Sequence, residues 1–252
     1  MENVAKAVTT EEKPALSLVR YGQKASDKDR GYSNKREFEG VDIKAVYEGK
    51  SRSYKAAKRA FDIVASGLGM ILLSPVFLGV AIAIRKEDGG PVIFTGMRYG
   101  KDMKLFPMHK FRSMCVDAEA RTNEFLKDAD KNGLAFKIPN DPRETRIGRF
   151  IRKTKLDELP QLWNVFKGEM SLVGPRPIQT TEFPLDEYDK QRWVVKPGIT
   201  CIWQISRKSV VPWKEWVEMD LRYITEMSVM TDLGLLFRTV DMLIVKNGDQ
   251  GI

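Results

Sequence analysis

The chain has 252 residues, of which 42% are apolar, enough for one domain with a sizeable core. Its formal charge of +8 indicates an anionic partner, which leaves nucleic acid, an anionic membrane surface and a phosphorylated substrate open. One histidine, His109, and two cysteines, Cys115 and Cys201, exclude histidine-rich zinc sites and argue against a Ser-His-Asp triad or a disulfide framework. Any catalysis must therefore use carboxylates, arginines, lysines or a bound metal.

The N-terminal region, residues 1–54, is polar and mixes charges without a sustained apolar period. This composition predicts a flexible tail with at most a local helix. No signal peptide is expected, because the first strongly apolar run begins too far along the chain. The folded domain is expected in residues 55–252.

The first strongly apolar run is Ala60–Ile84. Its charge-free part, Ile63–Ile84, would be about 33 Å long as a helix, enough to cross a bilayer. Ser74-Pro75 lies at its midpoint, where proline removes a backbone hydrogen bond and bends a helix; the serine hydroxyl can satisfy the freed carbonyl. Both flanks are basic, so the positive-inside rule favours both ends in the cytoplasm. A re-entrant helix over 60–84 broken at Ser74-Pro75, a kinked span and a buried soluble helix all stay open.

Charged and glycine-rich segments follow the apolar run. Asp62 is predicted to pair with Lys58 and Arg59 one turn earlier. The next segment, Gly89–Met114, alternates short β-type runs with glycine turns and predicts a small hairpin. The Asp-Ala-Asp of residues 128–130 resembles a metal-binding Asp-x-Asp, but it lies in a polar stretch and is interpreted as solvated surface.

Residues 141–153 predict a helix that opens at Pro142 with Asp141 as its N-cap. Ile147, Phe150 and Ile151 form its apolar stripe. Arginines recur every three residues along it, and each step drifts about 60° around a helix. At most two or three of them can therefore converge on one site; the set is Arg143, Arg146, Arg149 and Arg152.

The most informative stretch is Thr154–Pro177, which contains the adjacent acids Asp157 and Glu158. A helix is predicted to start at or just before Asp157, with Leu159, Leu162, Trp163 and Phe166 on one face. Taken alone, the acidic pair favours a capping role. Among so many cations it suits a metal-assisted reaction on a phosphate, since acids there lie at the positive end of the helix dipole.

The C-terminal part begins with Pro175-Arg176-Pro177, a rigid turn that would hold Arg176 ready for a phosphate or carboxylate. Two amphipathic helices follow. One starts near Pro212 with Trp213, Trp216, Val217, Leu221 and Ile224 on a face, and the other starts at Thr231 and stops at Gly248. The second carries Leu233, Leu236, Phe237, Val240 and Ile244. Such stripes are more often core than membrane-facing.

The order of these motifs resembles the bacterial sugar transferases, the monotopic phosphoglycosyl transferases of polysaccharide and glycoconjugate assembly. The motifs are the basic-flanked apolar helix with Ser-Pro, then GPVIF, HKFRSM, DPRETRIGRFIRKTKLDELPQLWNVFKGEMSLVGPRP and KPGIT. The likeness runs from about Lys58 to Lys246. The four-span domain of longer members is not seen, so a short catalytic-core form is expected. The implied fold is α+β and mostly helical, with a re-entrant helix, a small hairpin and interfacial amphipathic helices.

The resemblance implies transfer of a sugar-1-phosphate from a UDP-sugar to a polyprenol (undecaprenyl) phosphate, with Mg²⁺ and release of UMP. It implies action on the cytoplasmic face of the bacterial inner membrane, contact with its lipid, and no nucleic acid; a homo-oligomer is compatible with it. Asp157 would be the nucleophile and, with Glu158, would hold the metal. Phosphate and nucleotide contacts would come from Lys110, Arg112, Arg152, Pro175, Arg176 and Pro177. Ser74 and Pro75 would break the re-entrant helix.

Two departures from the family pattern lie in the C-terminal loop, namely Cys201 where a glycine is usual and Ser206-Arg207-Lys208 where a glycine turn is common. Two other functions stay open from the residues alone. A basic membrane-attached scaffold would bind anions in a salt-dependent way without needing Asp157. A conventional glycosyltransferase would instead need Asp128 and Asp130.

Overall fold

A computed structural model describes residues 36–118, 120, 141–178, 186–206 and 211–245, and within them the predicted mostly helical α+β class is confirmed. The helices are α1 (Ile43–Gly49), α2 (Arg52–Leu72), α3 (Ser74–Asp88), α4 (Arg146–Lys153), α5 (Gln161–Lys167), α6 (Glu187–Lys190), α7 (Ile202–Ile205), α8 (Trp213–Glu226) and α9 (Val229–Val245). The strands are β1 (Ile93–Tyr99), β2 (Leu105–Phe111), β3 (Ser171–Val173) and β4 (Gly198–Thr200). Short 3-10 turns cover Lys101–Met103, Leu156–Glu158 and Gln191–Val194. The Asp-Ala-Asp of residues 128–130 lies outside the described residues.

Helix α1 shows that the folded region begins before residue 55. Asp42 caps the helix, since its carboxylate accepts a hydrogen bond from the Ala45 N–H at 3.0 Å. Ile43 is completely buried in the largest hydrophobic cluster, and its N–H donates to Gln191. The predicted tail over residues 1–54 is therefore too long. One buried isoleucine, invisible to a test for sustained periodicity, anchors the segment.

Helices α2 and α3 form a bent pair whose axes differ by 60° across Leu73. Pro75 has no N–H to offer the Ile71 carbonyl, and the Ser74 hydroxyl donates to that oxygen at 2.8 Å. The predicted break and the predicted role of the serine are thus confirmed. Among the residues described, no single helix is long and apolar enough to cross a bilayer, while this bent pair meets the length and composition criteria together. The re-entrant path stays a prediction.

The N-terminal half of α2 is tied to the rest of the protein by polar contacts. Asp62 is buried and accepts hydrogen bonds from the Ser171 hydroxyl (3.1 Å) and from a backbone N–H of β3 (3.0 Å). Lys58 bonds to Asp232 of α9 at 2.9 Å, and Arg59 donates to two carbonyls of α5 at 2.7 Å. The predicted pairing of Asp62 with these two cations is wrong, because each finds a partner on another element.

The predicted hairpin is confirmed: β1 and β2 pair antiparallel, with Thr95 opposite His109. Asn164 of α5 fastens it, because its completely buried side chain accepts from the His109 N–H (3.0 Å) and donates to the Pro107 carbonyl (2.7 Å). His109 also bonds through its ring to the Thr95 hydroxyl at 3.0 Å. The hairpin thereby places Lys110 beside the turn that follows α4.

A second sheet, which the sequence did not predict, consists of the parallel strands β3 and β4. The first residue of β4, Gly198, must be glycine, since a Cβ there would lie 2.1 Å from the Gly174 nitrogen just after β3. This close approach fixes the start of the Pro175–Pro177 turn. The largest hydrophobic cluster includes β3 and the predicted face of α8, where Trp216, Val217, Leu221 and Ile224 are all buried.

Helix α9 corrects the prediction for the last amphipathic segment. It begins at Val229, before the predicted Thr231, and Gly248 lies outside the described residues. Its stripe was expected in the core, yet Phe237 is 73% and Val240 50% exposed, while Leu235 is buried.

The outward side chains of α9 are accompanied by exposed apolar side chains on other helices. Other exposed large apolar residues lie on α2, α3, α4 and α5, where Leu72 is 75% and Trp163 is 47% exposed. Soluble monomers seldom leave so much apolar surface uncovered, whereas interfacial helices bury such a face in lipid. The set includes Leu68, Ile71, Leu72, Leu78, Phe150, Trp163, Phe166, Phe237 and Val240.

Candidate active site

Helix α4 leads the chain into the site and starts later than predicted. Thr145 caps it, its hydroxyl accepting from the Gly148 N–H at 2.9 Å. Asp141 is not the cap; its carboxylate receives Arg143 side-chain hydrogen bonds of 2.6 and 2.9 Å. Pro142 accordingly sits in a turn, and Arg143 is buried away from the acidic pair. A local ion pair has outcompeted the helix that Asp-Pro suggested.

A left-handed residue, Lys155, reverses the chain after α4, with φ of 60°. The next residues form the 3-10 turn Leu156–Glu158, so Asp157 and Glu158 lie on that turn and not on a helix. Helix α5 starts only at Gln161, after Pro160, and neither element has a side-chain cap hydrogen bond at its start. The capping interpretation of the acidic pair is therefore wrong. The helix predicted to start at or just before Asp157 does begin there, but as a 3-10 turn from Leu156, and the α-helical part starts at Gln161.

Glu158 is the most heavily charge-compensated group in the region. One carboxylate oxygen, Oε1, lies 3.1 Å from the Lys110 ammonium and 3.4 Å from the Arg176 guanidinium. Burial would raise its pKa, but the positive charges of Lys110, Arg176 and Lys155 outweigh burial and lower the pKa to about 2. Glu158 is therefore ionised at any physiological pH.

Asp157 lies beside this ion pair, and its own carboxylate is not paired with any described residue. It is 8% exposed, and among the described residues no donor lies within hydrogen-bonding distance of its carboxylate. Burial raises its pKa, a shift that the positive charges of Lys110, Lys155 and Arg152 oppose. Burying a carboxylate without a hydrogen-bond partner costs free energy of folding. A carboxylate that is free to react and lies near cations is, however, what nucleophilic attack on a phosphorus centre requires.

Lys155 lies in the site although it was not among the predicted site residues. It is half-buried next to both acids, and within the described part of the chain no acceptor lies in hydrogen-bonding range of its ammonium. Burial lowers its pKa, while the negative charge of Glu158 acts against that shift. Little in the sequence indicated this position, because a lysine does not predict a left-handed backbone conformation.

The Pro175–Pro177 turn brings Arg176 to Glu158 from the opposite side of the site. The Pro175 carbonyl accepts from the Gly198 N–H at 2.9 Å, and the Arg176 carbonyl accepts from the buried Arg192 side chain at 2.9 Å. The Arg176 guanidinium also lies 5.6 Å from the centre of the Trp203 ring. Backbone and ring contacts thus fix Arg176, and Pro177 follows it at the half-buried edge.

Of the two remaining predicted arginines, Arg152 lies near the acidic pair and Arg112 does not. Arg152 bonds to Glu144 at 2.6 Å, and its charge still acts on Asp157. Arg112 is turned elsewhere: it pairs with Asp88 of α3 at 2.6 Å and donates to the Pro91 carbonyl at 2.5 Å. Arg112 therefore joins the hairpin to α3 and does not face the acidic pair.

The donor set suits a metal that arrives with a phosphate. Among the residues described, no three histidine, cysteine or acidic side chains gather into a protein cage. Mg²⁺ commonly binds through one or two carboxylates while phosphate oxygens and water supply the rest. Asp157 and the second oxygen of Glu158, which neither Lys110 nor Arg176 contacts, fit that mode of binding.

Comparisons with known proteins cover most of the chain. Residues 53–246 match the family described as bacterial sugar transferase. The chain is 42% identical over 204 residues to the undecaprenyl-phosphate galactose phosphotransferase of Salmonella typhimurium, covering 78% of this chain and 42% of that protein. It is 38% identical over 219 residues to the UDP-glucose:undecaprenyl-phosphate glucose-1-phosphate transferase of Escherichia coli, covering 83% and 45%.

A third relative is closer in length. The exopolysaccharide production protein ExoY of Rhizobium meliloti is 37% identical over 199 residues, which is 76% of this chain and 87% of that protein. By contrast, the chain spans less than half the length of the two phosphotransferases. The matched region contains the bent helix pair, the hairpin and the acidic turn. The chain therefore belongs to the bacterial sugar transferase family.

Proposed function

We propose that this chain transfers a sugar-1-phosphate from a UDP-sugar to a polyprenol phosphate, with the Asp157 carboxylate as the nucleophile. The observation that carries the proposal is that Asp157 is nearly buried, accepts no hydrogen bond from the described residues, and lies among Lys110, Lys155 and Arg152. The names of the two phosphotransferase relatives, which specify undecaprenyl phosphate as acceptor, support the substrate class. The ExoY relative supports a role in exopolysaccharide assembly.

In the first step an Asp157 oxygen attacks the β-phosphorus of the UDP-sugar. A P–O bond forms to the aspartate, the bond from that phosphorus to the bridging oxygen breaks, and UMP leaves with that oxygen. A carboxylate is a weak nucleophile, so the negative charge on the phosphoryl oxygens must first be neutralised. Lys110 and Arg176, which reach Glu158 from two elements, are positioned to supply part of this neutralisation.

In the second step a phosphate oxygen of the polyprenol phosphate attacks the same phosphorus. The bond to Asp157 breaks, the free carboxylate returns, and a polyprenyl diphosphate sugar is released. Splitting the transfer in this way avoids bringing two bulky anions together at once. When bound at Asp157 and Glu158, Mg²⁺ would withdraw charge from the phosphate oxygens.

The same proposal includes a location. The water-soluble UDP-sugar and the lipid phosphate can meet only at a membrane surface, and basic residues flank both ends of the bent pair α2–α3. We place the bend in the cytoplasmic leaflet of the bacterial inner membrane as a re-entrant helix, with the acidic turn on the cytoplasmic face. Labelling of a single cysteine introduced near residue 40 from the cytoplasmic side supports this path; labelling only from the periplasm contradicts it.

Release of UMP by the purified protein in detergent tests the reaction. With a panel of UDP-sugars and no acceptor, the covalent step predicts a burst of UMP stoichiometric with enzyme, and a phosphosugar mass on the peptide that contains Asp157. Addition of polyprenol phosphate should discharge that adduct and start turnover. An adduct on another residue, or turnover that is undiminished in chelator, contradicts the proposal.

A matched control separates this reaction from that of a conventional glycosyltransferase. Alanine at both Asp128 and Asp130 should leave UMP release unchanged, because the proposed chemistry does not use those residues. Loss of activity in that double variant, with full activity in a variant lacking the Asp157 carboxylate, would support the alternative Asp-x-Asp mechanism instead.

A further inference from the structure

Lys155 combines two unusual features in one residue. Its backbone has φ of 60°, a left-handed conformation that is unfavourable for an L-residue. Its half-buried ammonium has no acceptor among the described residues, whereas Lys110 and Arg176 are both engaged by Glu158. Strain and an unused charge at one position beside a reactive centre indicate a ligand with negative charge.

A cavity of about 140 Å³ opens directly beside this lysine. Lys155 and Glu158 form its polar end, and its walls include Leu159, Leu162 and Met242. An apolar cavity of about 150 Å³ accommodates a benzene molecule, so this one has room for a group of five or six carbons. Three polar side chains, Thr200, Gln204 and Thr239, also line it. The two threonine hydroxyls bond to each other at 2.6 Å, so the Gln204 amide is the polar group left in a lining that is otherwise apolar beyond Lys155 and Glu158.

The cavity also connects to the apolar outer surface. Leu243 of α9 lines it and is 47% exposed, next to the outward face that carries Val240. On the opposite side, Leu162 lies 3.4 Å from the position of a Cβ on Gly69 of α2. The cavity is thus bordered by α9, and its Leu162 wall packs in turn against α2.

We propose that Lys155 binds the phosphate of the polyprenol acceptor and that the cavity holds the isoprene unit next to it. This inference rests on the proposed function and assigns the acceptor subsite within it. A cation at the polar end and apolar walls leading to the outer surface match a molecule with a phosphate head and a hydrocarbon chain. The acceptor phosphate would lie next to Asp157, where the second attack takes place.

The charge is tested by Lys155→Asn, because asparagine tolerates the left-handed conformation and removes only the ammonium. The KM for polyprenol phosphate should rise about tenfold or more, with a smaller change in the KM for the UDP-sugar. Lys153→Asn, on the exposed end of α4, is the matched control and should change neither value. A larger rise in the donor KM than in the acceptor KM would assign Lys155 to the donor phosphates and overturn the proposal.

The cavity is tested by Met242→Trp, which fills it, against Val240→Trp on the exposed side of α9. Met242→Trp should raise the acceptor KM by about tenfold or more and preserve the UMP burst without acceptor, whereas Val240→Trp should do neither. An absent burst in the wild type would contradict the proposed function itself, so the two failures are distinguishable.

Direct binding gives a readout independent of activity. A polyprenyl phosphate with a photoreactive group in its first isoprene unit should crosslink to the peptides of α5 or α9 that line the cavity. Met242→Trp should suppress that crosslink. Crosslinks confined to α2 and α3, or suppression by excess phospholipid but not by unlabelled polyprenyl phosphate, would overturn the assignment.

Discussion

Two clusters of buried acids and cations lie on either side of the Pro175–Pro177 turn, and they differ in how fully their charges are used. In the first, Arg192 donates to Asp220 at 2.8 Å, and the two side chains are 0% and 2% exposed. Three tryptophan rings surround the guanidinium with centroids 5.2 to 5.6 Å away. Asp220 neutralises the charge there, although Arg192 Nη1 is buried without a hydrogen-bond partner among the described residues.

In the second cluster the protein leaves charge unused. Glu158 shares one oxygen between Lys110 and Arg176, Asp157 accepts nothing from the described residues, and Lys155 donates nothing to them. Three cations face two carboxylates, and a cavity opens beside them. The comparison shows that burial of charge alone does not mark a site; incomplete pairing next to open space does. The closed cluster also serves the open one, since Arg192 holds the Arg176 carbonyl.

Asp157→Asn should have the largest effect on activity. UMP release should fall about a thousandfold or more, because the amide cannot form the phosphoryl bond. The free energy of unfolding, measured by urea titration in detergent, should not decrease, since the carboxylate makes no hydrogen bond that would be lost. A stability loss as great as the one expected for the closed cluster would show that Asp157 is a structural residue.

Asp220→Asn tests the closed cluster, where the expected loss is mainly in stability and not in activity. It leaves the Arg192 charge buried without its counter-ion, and breaking a buried pair in this way costs about 3–5 kcal/mol. The midpoint of urea unfolding should therefore fall. The UMP burst per folded molecule should fall much less than in Asp157→Asn, with an increase in the donor KM as Arg176 loses support. Unchanged stability would mean that the two clusters do not differ as described.

Glu158→Gln should change how stability depends on pH. The folded pKa of Glu158, about 2, is below its ordinary value of 4.5, so its contribution is present above pH 4.5 and is lost as the pH falls towards 2. Between pH 4.5 and pH 2 the free energy of unfolding of the wild type should therefore fall by about 3 kcal/mol more than that of Glu158→Gln. Unfolding titrations at pH 5 and pH 3 measure part of this difference. Parallel losses in both proteins would contradict the ion pairs at Glu158.

Much of the fold could be predicted from local patterns. The bend at Ser74-Pro75, the hairpin and the buried face of α8 each follow from a proline, from turn glycines or from periodicity. Contacts between distant segments could not be predicted in this way. The parallel pair β3–β4 depends on Gly174 meeting Gly198, and Asp62 is buried against β3 because that short strand happens to lie beside it.

The candidate site was predicted in its residue types but not in its geometry. Asp157, Glu158, Lys110 and Arg176 were named and do lie together, whereas Arg112 pairs with Asp88 on another element. The helix predicted at or just before Asp157 begins at Leu156, but as a 3-10 turn, because propensity rules do not foresee the left-handed Lys155 before it. That backbone conformation precedes the turn that carries both acids, and it brings into the site a lysine that was not among the predicted site residues.

Lys110→Met should give the smallest but most specific signal, a shift in the pH dependence of the UMP burst. Asp157 must be ionised to attack; burial raises its pKa, and the Lys110 charge is the largest influence that lowers it. Removing that charge raises the pKa further, so the acid limb of the burst rate should move to higher pH. Lys104→Met, at an exposed position before β2, should leave the limb where it is in the wild type. Because Lys110 also bonds to Glu158, the overall rate will fall as well, and the position of the limb separates the charge effect from that loss. A limb that stays in place in both variants would mean that Lys110 acts on Glu158 alone, and that Asp157 owes its ionisation to Lys155 and Arg152.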